Sequence, residues 1–169
     1  MTNNANSSYV EPWTLPPLDD VLAKLRDRGI EVPPGNKRVG AFGDSAELSN
    51  EMLDLIRSGQ KRGGACLLWT YEALNEALPL VGEIEIVLDH LNEPALIFRV
   101  VNVEAKPFCE VGADFAAVEG EGDGDGSLEY WRQEHWKYFQ RECARLGREP
   151  AESMVVICES FELLQVFAP

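Results

Sequence analysis

The sequence has 169 residues, of which 45% are hydrophobic and 26% are charged, a composition typical of one globular domain with its own core. The formal net charge of -14 argues against binding of nucleic acid through many cationic contacts to phosphates, so any RNA contact needs a local basic patch. No apolar run reaches the roughly 20 residues of a membrane span, and the polar segment Met1–Tyr9 lacks the pattern of a signal peptide.

Two helices are predicted in the first third of the chain. Apolar residues recur at i, i+3, i+4 and i+7 within Leu18–Gly29, which predicts an amphipathic helix that the glycine ends. After a connector, Asp44 or Ser45 is a suitable N-cap for a second helix that ends near Gly59.

The middle of the chain is richer in predicted strands. Ala65–Tyr71 is short and apolar, which favours a strand, and Glu72–Ala77 favours a short helix before a proline. Glu83–Leu88 and Ala95–Val103 predict two strands joined by a turn, and Ala113–Val118 predicts another short helix.

The last third begins with the strongest helical pattern, Leu128–Leu146, with Ser127 or Asp125 as its cap. Met154–Ile157 and Phe161–Phe167 are rich in β-forming residues, so the chain ends in one or two strands. Strands interspersed with helices, in pairings that look antiparallel, predict an α+β fold with a curved or closed sheet.

The cysteines form neither a metal motif nor a disulfide framework. They are widely spread and contain no C-x-x-C pair. Free thiols in a reducing compartment are therefore expected, zinc is not expected, and the predicted location is the cytoplasm. No other metal and no cofactor is predicted. The cysteines are Cys66, Cys109, Cys143 and Cys158.

A pair of cations stands between glycines at a predicted helix-to-strand junction. Lys61 and Arg62 follow Gly59 and precede two further glycines. Glycines let the backbone approach a phosphate while the two cations supply charge, which favours anion contact. The structural alternative is a helix C-cap followed by cations that complement the helix dipole.

Acidic residues alternate with glycines in the segment Glu119–Ser127. If Glu121 is the first position of a calcium loop, Asp123 and Asp125 are the third and fifth. Position 12 is then Arg132, a cation where a bidentate glutamate is needed, so no calcium site is predicted. A solvated acidic loop before a helix cap and a carboxylate kept for catalysis both remain open.

The predicted helix Leu128–Leu146 has two polar residues, His135 and Glu142, on its apolar face. They are either hydrogen-bonded core groups or groups that line a pocket. The opposite face carries a basic stripe, which is either a solvated surface or a nucleic-acid contact. The stripe consists of Lys137, Arg141, Arg145 and Arg148.

Several short motifs occur in the order found in ASCH-domain proteins, and from about Arg38 to Phe167 the chain resembles this family. The motifs include Phe42-Gly43-Asp44-Ser45, Ser58-Gly59-Gln60-Lys61, Glu119-Gly120-Glu121-Gly122-Asp123, Trp131-Arg132 with His135, and Glu159-Ser160-Phe161. The resemblance implies a PUA-like β-barrel with flanking helices over residues 38–169, preceded by an extension over residues 1–37 that carries the first helix.

The resemblance also implies a role with RNA or modified nucleosides, since members of the family are described as ribonucleases and as N4-acetylcytidine amidohydrolases. Lys61 matches the lysine and Glu119 the glutamate of the amidohydrolase branch, whereas its threonine position falls on Gly64. Cleavage of RNA needs only acid, base and phosphate contacts, because the 2′-hydroxyl is itself the nucleophile. A ribonuclease acting on single-stranded RNA is therefore the leading prediction, with Lys61 and Glu119 as its acid–base pair.

The alternatives are an amidohydrolase of an acylated cytidine and an RNA-binding or regulatory module without catalysis. The predicted partner is RNA or a nucleoside-type ligand in every case, and no membrane partner is expected. The residues predicted to contact RNA are Arg62, Arg132, His135, Lys137, Arg141 and Arg145.

Overall fold

The structure, a computed structural model, describes residues 12–121 and 126–168. Five strands form one sheet, and five α-helices flank it. The helices are α1 (Leu18–Asp27), α2 (Ala46–Ser58), α3 (Leu68–Leu74), α4 (Ala113–Glu119) and α5 (Leu128–Leu146). The strands are β1 (Lys37–Ala41), β2 (Gly63–Leu67), β3 (Ile84–Leu88), β4 (Pro94–Pro107) and β5 (Val155–Val166).

The sheet has the strand order β1-β3-β4-β5-β2 and curls into half of a barrel. β1 runs parallel to β3, and the three other pairs are antiparallel. Two register shifts, at Ile97/Phe98 and at Val100/Asn102, interrupt the long pairing of β4 with β5. Such irregularities bend a strand and increase its twist, which fits the curl of the sheet.

Alternation along β3 separates two apolar layers. Ile84 and Ile86 pack against Val21 and Leu25 of α1, so the first helix is part of the core rather than a detached extension. The opposite face of the strand packs Val87 against α2. Helix α5 completes the fold by packing on the ends of β2 and β5.

The α+β class and the curved sheet are confirmed, and so are the helices predicted by periodicity and their caps. The Ser45 hydroxyl accepts a hydrogen bond from the Leu48 backbone N–H at 3.1 Å, and Ser127 caps α5 in the same way. Gly59 ends α2 with φ +89°, a backbone conformation that glycine adopts without strain. The β-rich end of the chain is the single strand β5.

Two assignments in the first half of the chain were wrong. Ala65–Tyr71 is not one strand, because β2 ends at Leu67 and helix α3 follows at once. This helix ends at Leu74, halfway through Glu72–Ala77. A short apolar run fits a buried helix as well as a strand, so periodicity alone does not decide between them. The predicted connector after α1 contains strand β1, whose five residues are all half-buried and show no alternation of buried and exposed positions.

Some expectations concern residues outside the described ranges. These are the polar start Met1–Tyr9, and Asp123 and Asp125 in the comparison with a calcium loop. Within the described ranges, no helix combines the length and the apolar character that a membrane crossing requires.

Gly120 fixes the turn after α4, and its replacement tests how tightly that turn is held. It has φ +60°, and a Cβ atom there would lie 2.0 Å from the backbone oxygen of Gln60. We expect Gly120→Ala to lower the free energy of unfolding by at least about 3 kcal/mol, because left-handed strain adds to a backbone clash.

Gly147→Ala is the matched control for this change. Gly147 has φ +66° with no atom within 4 Å of the added Cβ, so only the strain of about 1–2 kcal/mol applies. Urea unfolding of both variants measures the difference, and equal losses of stability would contradict the tight approach of Gly120 to Gln60.

Candidate functional site

A cavity of about 450 Å³ opens between the sheet and helices α2, α3 and α5. Among the described residues, its wall carries eight glutamates but only three lysine or arginine side chains, together with His135. Aromatic rings also line it, among them Phe42, Tyr71 and Tyr138. The cavity therefore has the size of a small-ligand site and a strongly acidic wall.

The buried ammonium group of Lys61 is the centre of the cavity's charged cluster. The Lys61 side chain is 1% exposed, and its Nζ donates hydrogen bonds to Glu119 Oε2 and, at 2.6 Å, to Glu121 Oε1. Glu119 is fully buried, whereas Glu121 retains some exposure toward the cavity. One cation is thus enclosed by two carboxylates at the cavity wall.

The backbone around this cluster joins two loops that are far apart in the sequence. The Arg62 N–H donates to the Val118 carbonyl at 2.8 Å, and the Gln60 side-chain amide donates to the Gly120 carbonyl at 2.7 Å. These two bonds hold the start of β2 against the end of α4. They place Lys61 beside the last residue of that helix.

His135 extends the cluster from helix α5. Its Nδ1 lies 3.0 Å from the Trp131 carbonyl oxygen, and its Nε2 lies 3.3 Å from Glu119 Oε1. The ring also stacks on the Trp131 indole, with a centroid distance of 4.1 Å. Nδ1 lies within hydrogen-bond distance of a carbonyl oxygen and Nε2 lies at ion-pair distance from a carboxylate, so the charged imidazolium form suits this position.

The two carboxylates of the cluster differ in their protonation. Burial opposes ionisation of Glu119, but the charges of Lys61 and His135 outweigh it, so the pKa of Glu119 lies well below its usual range. Burial raises the pKa of Glu121, and the neighbouring charge of Glu119 adds to that effect. The contacts of Glu119 therefore favour its ionised form, and Glu121 is the carboxyl group better suited to exchange a proton.

The two cations are stabilised by the same contacts. Burial disfavours the charged form of Lys61, but Glu119 and Glu121 outweigh it and raise its pKa. Burial likewise opposes protonation of His135, and Glu119 outweighs it, so the pKa of His135 is raised. The contacts with the carboxylates thus favour the charged forms of both Lys61 and His135.

Three of these side chains, Glu119, Glu121 and His135, have potential metal-ligand atoms within 4.8 Å of one another. The Lys61 ammonium bonds to both carboxylates and already supplies the positive charge that a divalent cation would bring. The described contacts therefore fit an internal ion cluster.

A second pair of carboxyl groups, Glu85 on β3 and Glu159 on β5, lines the same cavity. Burial raises the pKa of Glu85, and the charge of Glu159 raises it further. Burial also raises the pKa of Glu159 to about 7, although the nearby Arg38 opposes the shift. Both groups are set to carry protons closer to neutral pH than ordinary glutamates.

The residues predicted for catalysis, Lys61 and Glu119, are brought into direct contact, and His135 joins them. Arg141 also lines the cavity, but its guanidinium group is bonded to Asp44 at 2.7 Å. Arg145 bonds to Asp44 as well and to Glu142. Two members of the predicted basic stripe are thus held by carboxylates.

The remaining predicted RNA contacts do not line this cavity. Arg62 donates to the backbone oxygens of Ile56 and Lys61 and does not line the cavity. Arg132 donates to backbone oxygens of the segment 109–111, and Lys137 pairs with Glu134 on the outside of α5. Their predicted roles stay predictions, but the structure does not bring them together with Lys61.

Sequence reasoning gave no role to three cavity glutamates, Glu85, Glu121 and Glu159. Glu121 and Glu159 fall within the motifs of the family resemblance, and that was the available signal for them. Glu85 occupies an alternating position in a strand, a pattern typical of a solvent-facing side chain, yet it is only 8% exposed. All four cysteines are free, as expected, and two of them are buried.

Loss of the Lys61 charge tests the cluster's contribution to stability. We expect Lys61→Met to lower the free energy of unfolding by roughly 3–5 kcal/mol, because it leaves a buried carboxylate without its partner. Lys137→Met, at a lysine with 63% side-chain exposure, is the control and should cost less than about 1 kcal/mol. Adding Glu119→Gln to Lys61→Met should recover part of the loss, and strictly additive losses in chemical denaturation would argue against the pair.

The raised pKa of Glu159 predicts a pH dependence of stability. The folded protein binds this proton more tightly than the unfolded chain, so stability falls as the pH rises from about 4.5 through about 7. We expect the melting temperature of Glu159→Gln to exceed that of the wild type by more at pH 8 than at pH 5. Glu162→Gln, at an exposed site on the same strand, should show no such trend. A constant difference for Glu159→Gln across this range would contradict the assignment.

Comparison with known proteins agrees with this architecture. The family model of the ASCH domain matches residues 38–165. A crystal structure of an ASCH domain from Lactobacillus crispatus is 30% identical in sequence and superposes with a TM-score of 0.70. The match covers 86% of this chain and 90% of the Lactobacillus chain. A crystal structure from Enterococcus faecalis is also 30% identical, with 88% of each chain covered and a TM-score of 0.71. No curated protein matches the sequence. The chain therefore belongs to the ASCH domain family.

Proposed function

We propose that this protein is a hydrolase that removes an acyl group from a compact nucleoside-type ligand, with the Lys61 cluster as its catalytic centre. The observation that carries the proposal is a fully compensated ammonium group, 1% exposed, on the wall of a cavity of about 450 Å³. Burying such charges costs desolvation energy that an apolar cluster would not, so its position beside a cavity favours a functional role.

The charge of the cavity favours a neutral or cationic ligand over a polyanion. Eight glutamates face three lysine or arginine side chains on the wall, and Lys61 is already neutralised by Glu119 and Glu121. A phosphodiester chain entering this space would meet an excess of like charge. An uncharged acylated base attached to ribose meets no such opposition.

Hydrolysis of an amide needs a nucleophile, and Gly64 leaves no hydroxyl group where the related amidohydrolases have threonine. Water is therefore the nucleophile in this proposal. It adds to the acyl carbon and gives its proton to the Glu121 carboxylate, while the Lys61 ammonium stabilises the oxyanion. The C–N bond then breaks as the amine nitrogen takes that proton, which yields the acid and the free amine.

Glu119 has a supporting role in this scheme, since its lowered pKa makes it a poor proton acceptor. Its contacts with Lys61 and His135 keep both groups charged and oriented. Glu121, with its raised pKa and its exposure toward the cavity, is the better proton carrier.

Ribonuclease activity is the second candidate. Lys61, His135 and Arg141 give one cavity three groups that can be cationic, and members of the ASCH family are generally associated with RNA. A 2′-hydroxyl nucleophile would also make the missing threonine irrelevant. A short single-stranded substrate, with one nucleotide inside the cavity, suits this alternative better than a duplex.

The experiment compares hydrolysis of N4-acetylcytidine and cleavage of single-stranded RNA by the same purified proteins, with and without EDTA. For the acylated nucleoside, we expect Lys61→Met and Glu121→Gln to lower kcat/KM by about 10²–10⁴-fold, the usual contribution of positioned acid–base groups. Lys106→Met, at a lysine that pairs with Glu104 outside the cavity, is the matched control and should retain activity.

Circular dichroism of each variant separates lost chemistry from lost folding. Cleavage of RNA alone, abolished by Lys61→Met, would replace the proposal with the ribonuclease. If the folded wild type shows neither activity but binds RNA, the non-catalytic RNA-binding module would be the remaining candidate function.

A further inference from the structure

The carboxyl pair Glu85/Glu159 has no hydrogen-bond partner among the described residues, although the charge of Arg38, which pairs with Glu83, acts on both groups. The Glu159 side chain is half-buried, but its Oε2 atom is inaccessible and has no hydrogen-bond partner within the described residues. Glu85 is only 8% exposed, and no contact in the described part of the chain gives its carboxyl group a hydrogen bond or an ion pair. Buried polar groups are nearly always satisfied, so the unpartnered Glu159 oxygen, on a cavity wall that also carries Glu85, points to a ligand.

Two glycines on the neighbouring strands make room for this pair. A Cβ atom on Gly40 would lie 1.9 Å from Glu85 Oε1, so any side chain there would displace the carboxyl group. Gly64 is the register partner of Glu159, and its Cβ would lie 3.5 Å from Glu159 Oε1. The carboxyl oxygens thus rest against bare backbone beside the open cavity.

The pair stands close to the Lys61 cluster. The charges of both Lys61 and Glu119 act on Glu159, and the charge of Glu159 acts in turn on Glu85. Glu159 and Lys61 line the same cavity, so a planar ligand held by Glu159 would lie in the space that Lys61 also faces. This arrangement separates a group that recognises the ligand from the group that reacts.

We propose that Glu85 and Glu159 form a subsite for a planar amidine-type group, an N–C–N edge with N–H donors such as cytosine presents. A carboxyl group and an amidine form two parallel hydrogen bonds, whichever of them carries the shared proton. Uracil offers one N–H between two carbonyl oxygens. These carbonyl oxygens would face the carboxyl oxygens of the pair and repel them. The inference rests on the proposed function, because it takes the ligand to be a nucleoside and names its base.

The test is calorimetric binding of cytidine, uridine and benzamidine at pH 7. The wild type should bind cytidine at least tenfold more tightly than uridine. Glu85→Gln and Glu159→Gln should reduce that ratio to below about threefold, while Glu162→Gln, at an exposed site on β5, should leave it unchanged. Glutamine has nearly the same shape as glutamate, and thermal unfolding verifies that each variant is folded.

Equal binding of cytidine and uridine by the wild type, without binding of benzamidine, would overturn the inference. A ratio unchanged in both Glu→Gln variants would overturn it as well. Binding of benzamidine alone, lost in Glu159→Gln, would support the subsite and identify a small amidinium compound as its ligand.

The inference and the proposed function can fail separately. If N4-acetylcytidine is not hydrolysed but the cytidine preference is present and depends on Glu159, the subsite stands without the reaction. If N4-acetylcytidine is hydrolysed and Glu159→Gln leaves KM unchanged, the reaction stands without the subsite.

Discussion

The burial of one ammonium group, that of Lys61, is the constraint on which the site depends. A lysine removed from water must be compensated, and here Glu119 and Glu121 do so from the end of α4. This requires the loop after α2 and the loop after α4 to meet, which the bond from Gln60 to the Gly120 carbonyl secures. Gly120 permits the approach because it has no side chain and adopts φ +60°. The compensation of the Lys61 charge therefore depends on the backbone geometry of the turn at Gly120.

Compensation of Lys61 also determines what the cavity can bind. A lysine that bonds to two carboxylates has no free charge for a phosphate, but its ammonium can still stabilise an oxyanion that forms next to it. The acidic wall and the net charge of -14 act in the same direction, because both disfavour polyanions. Arg141, which lines the cavity, and Arg145 one turn further along α5 are both bonded to Asp44. The electrostatics thus agree with the small ligand of the proposed function, within a family generally associated with RNA.

Much of this could be predicted from the sequence, and the failures have physical causes. Periodicity and caps located α2 and α5 because these signals are local. Lys61 and Glu119 were predicted as a pair only through the family resemblance, since 58 positions separate them and no local rule joins them. Glu85 was missed because alternation in a strand predicts exposure, whereas the curled sheet covers both faces of β3. Strand β1 was missed because its position depends on parallel pairing with β3, a long-range contact.

Gly64 connects the reaction with recognition. At this position the amidohydrolase branch has threonine, and a Cβ atom here would lie 3.3 Å from Phe42 Cε1 and 3.5 Å from Glu159 Oε1. A larger side chain would therefore press on the ring and fill the space in front of the carboxyl group. Glycine lacks a hydroxyl group but leaves the space beside Glu159 Oε1 unfilled. In the proposed reaction, water therefore takes the place of the threonine hydroxyl, and in the proposed subsite Glu159 would hold the base while the water reacts.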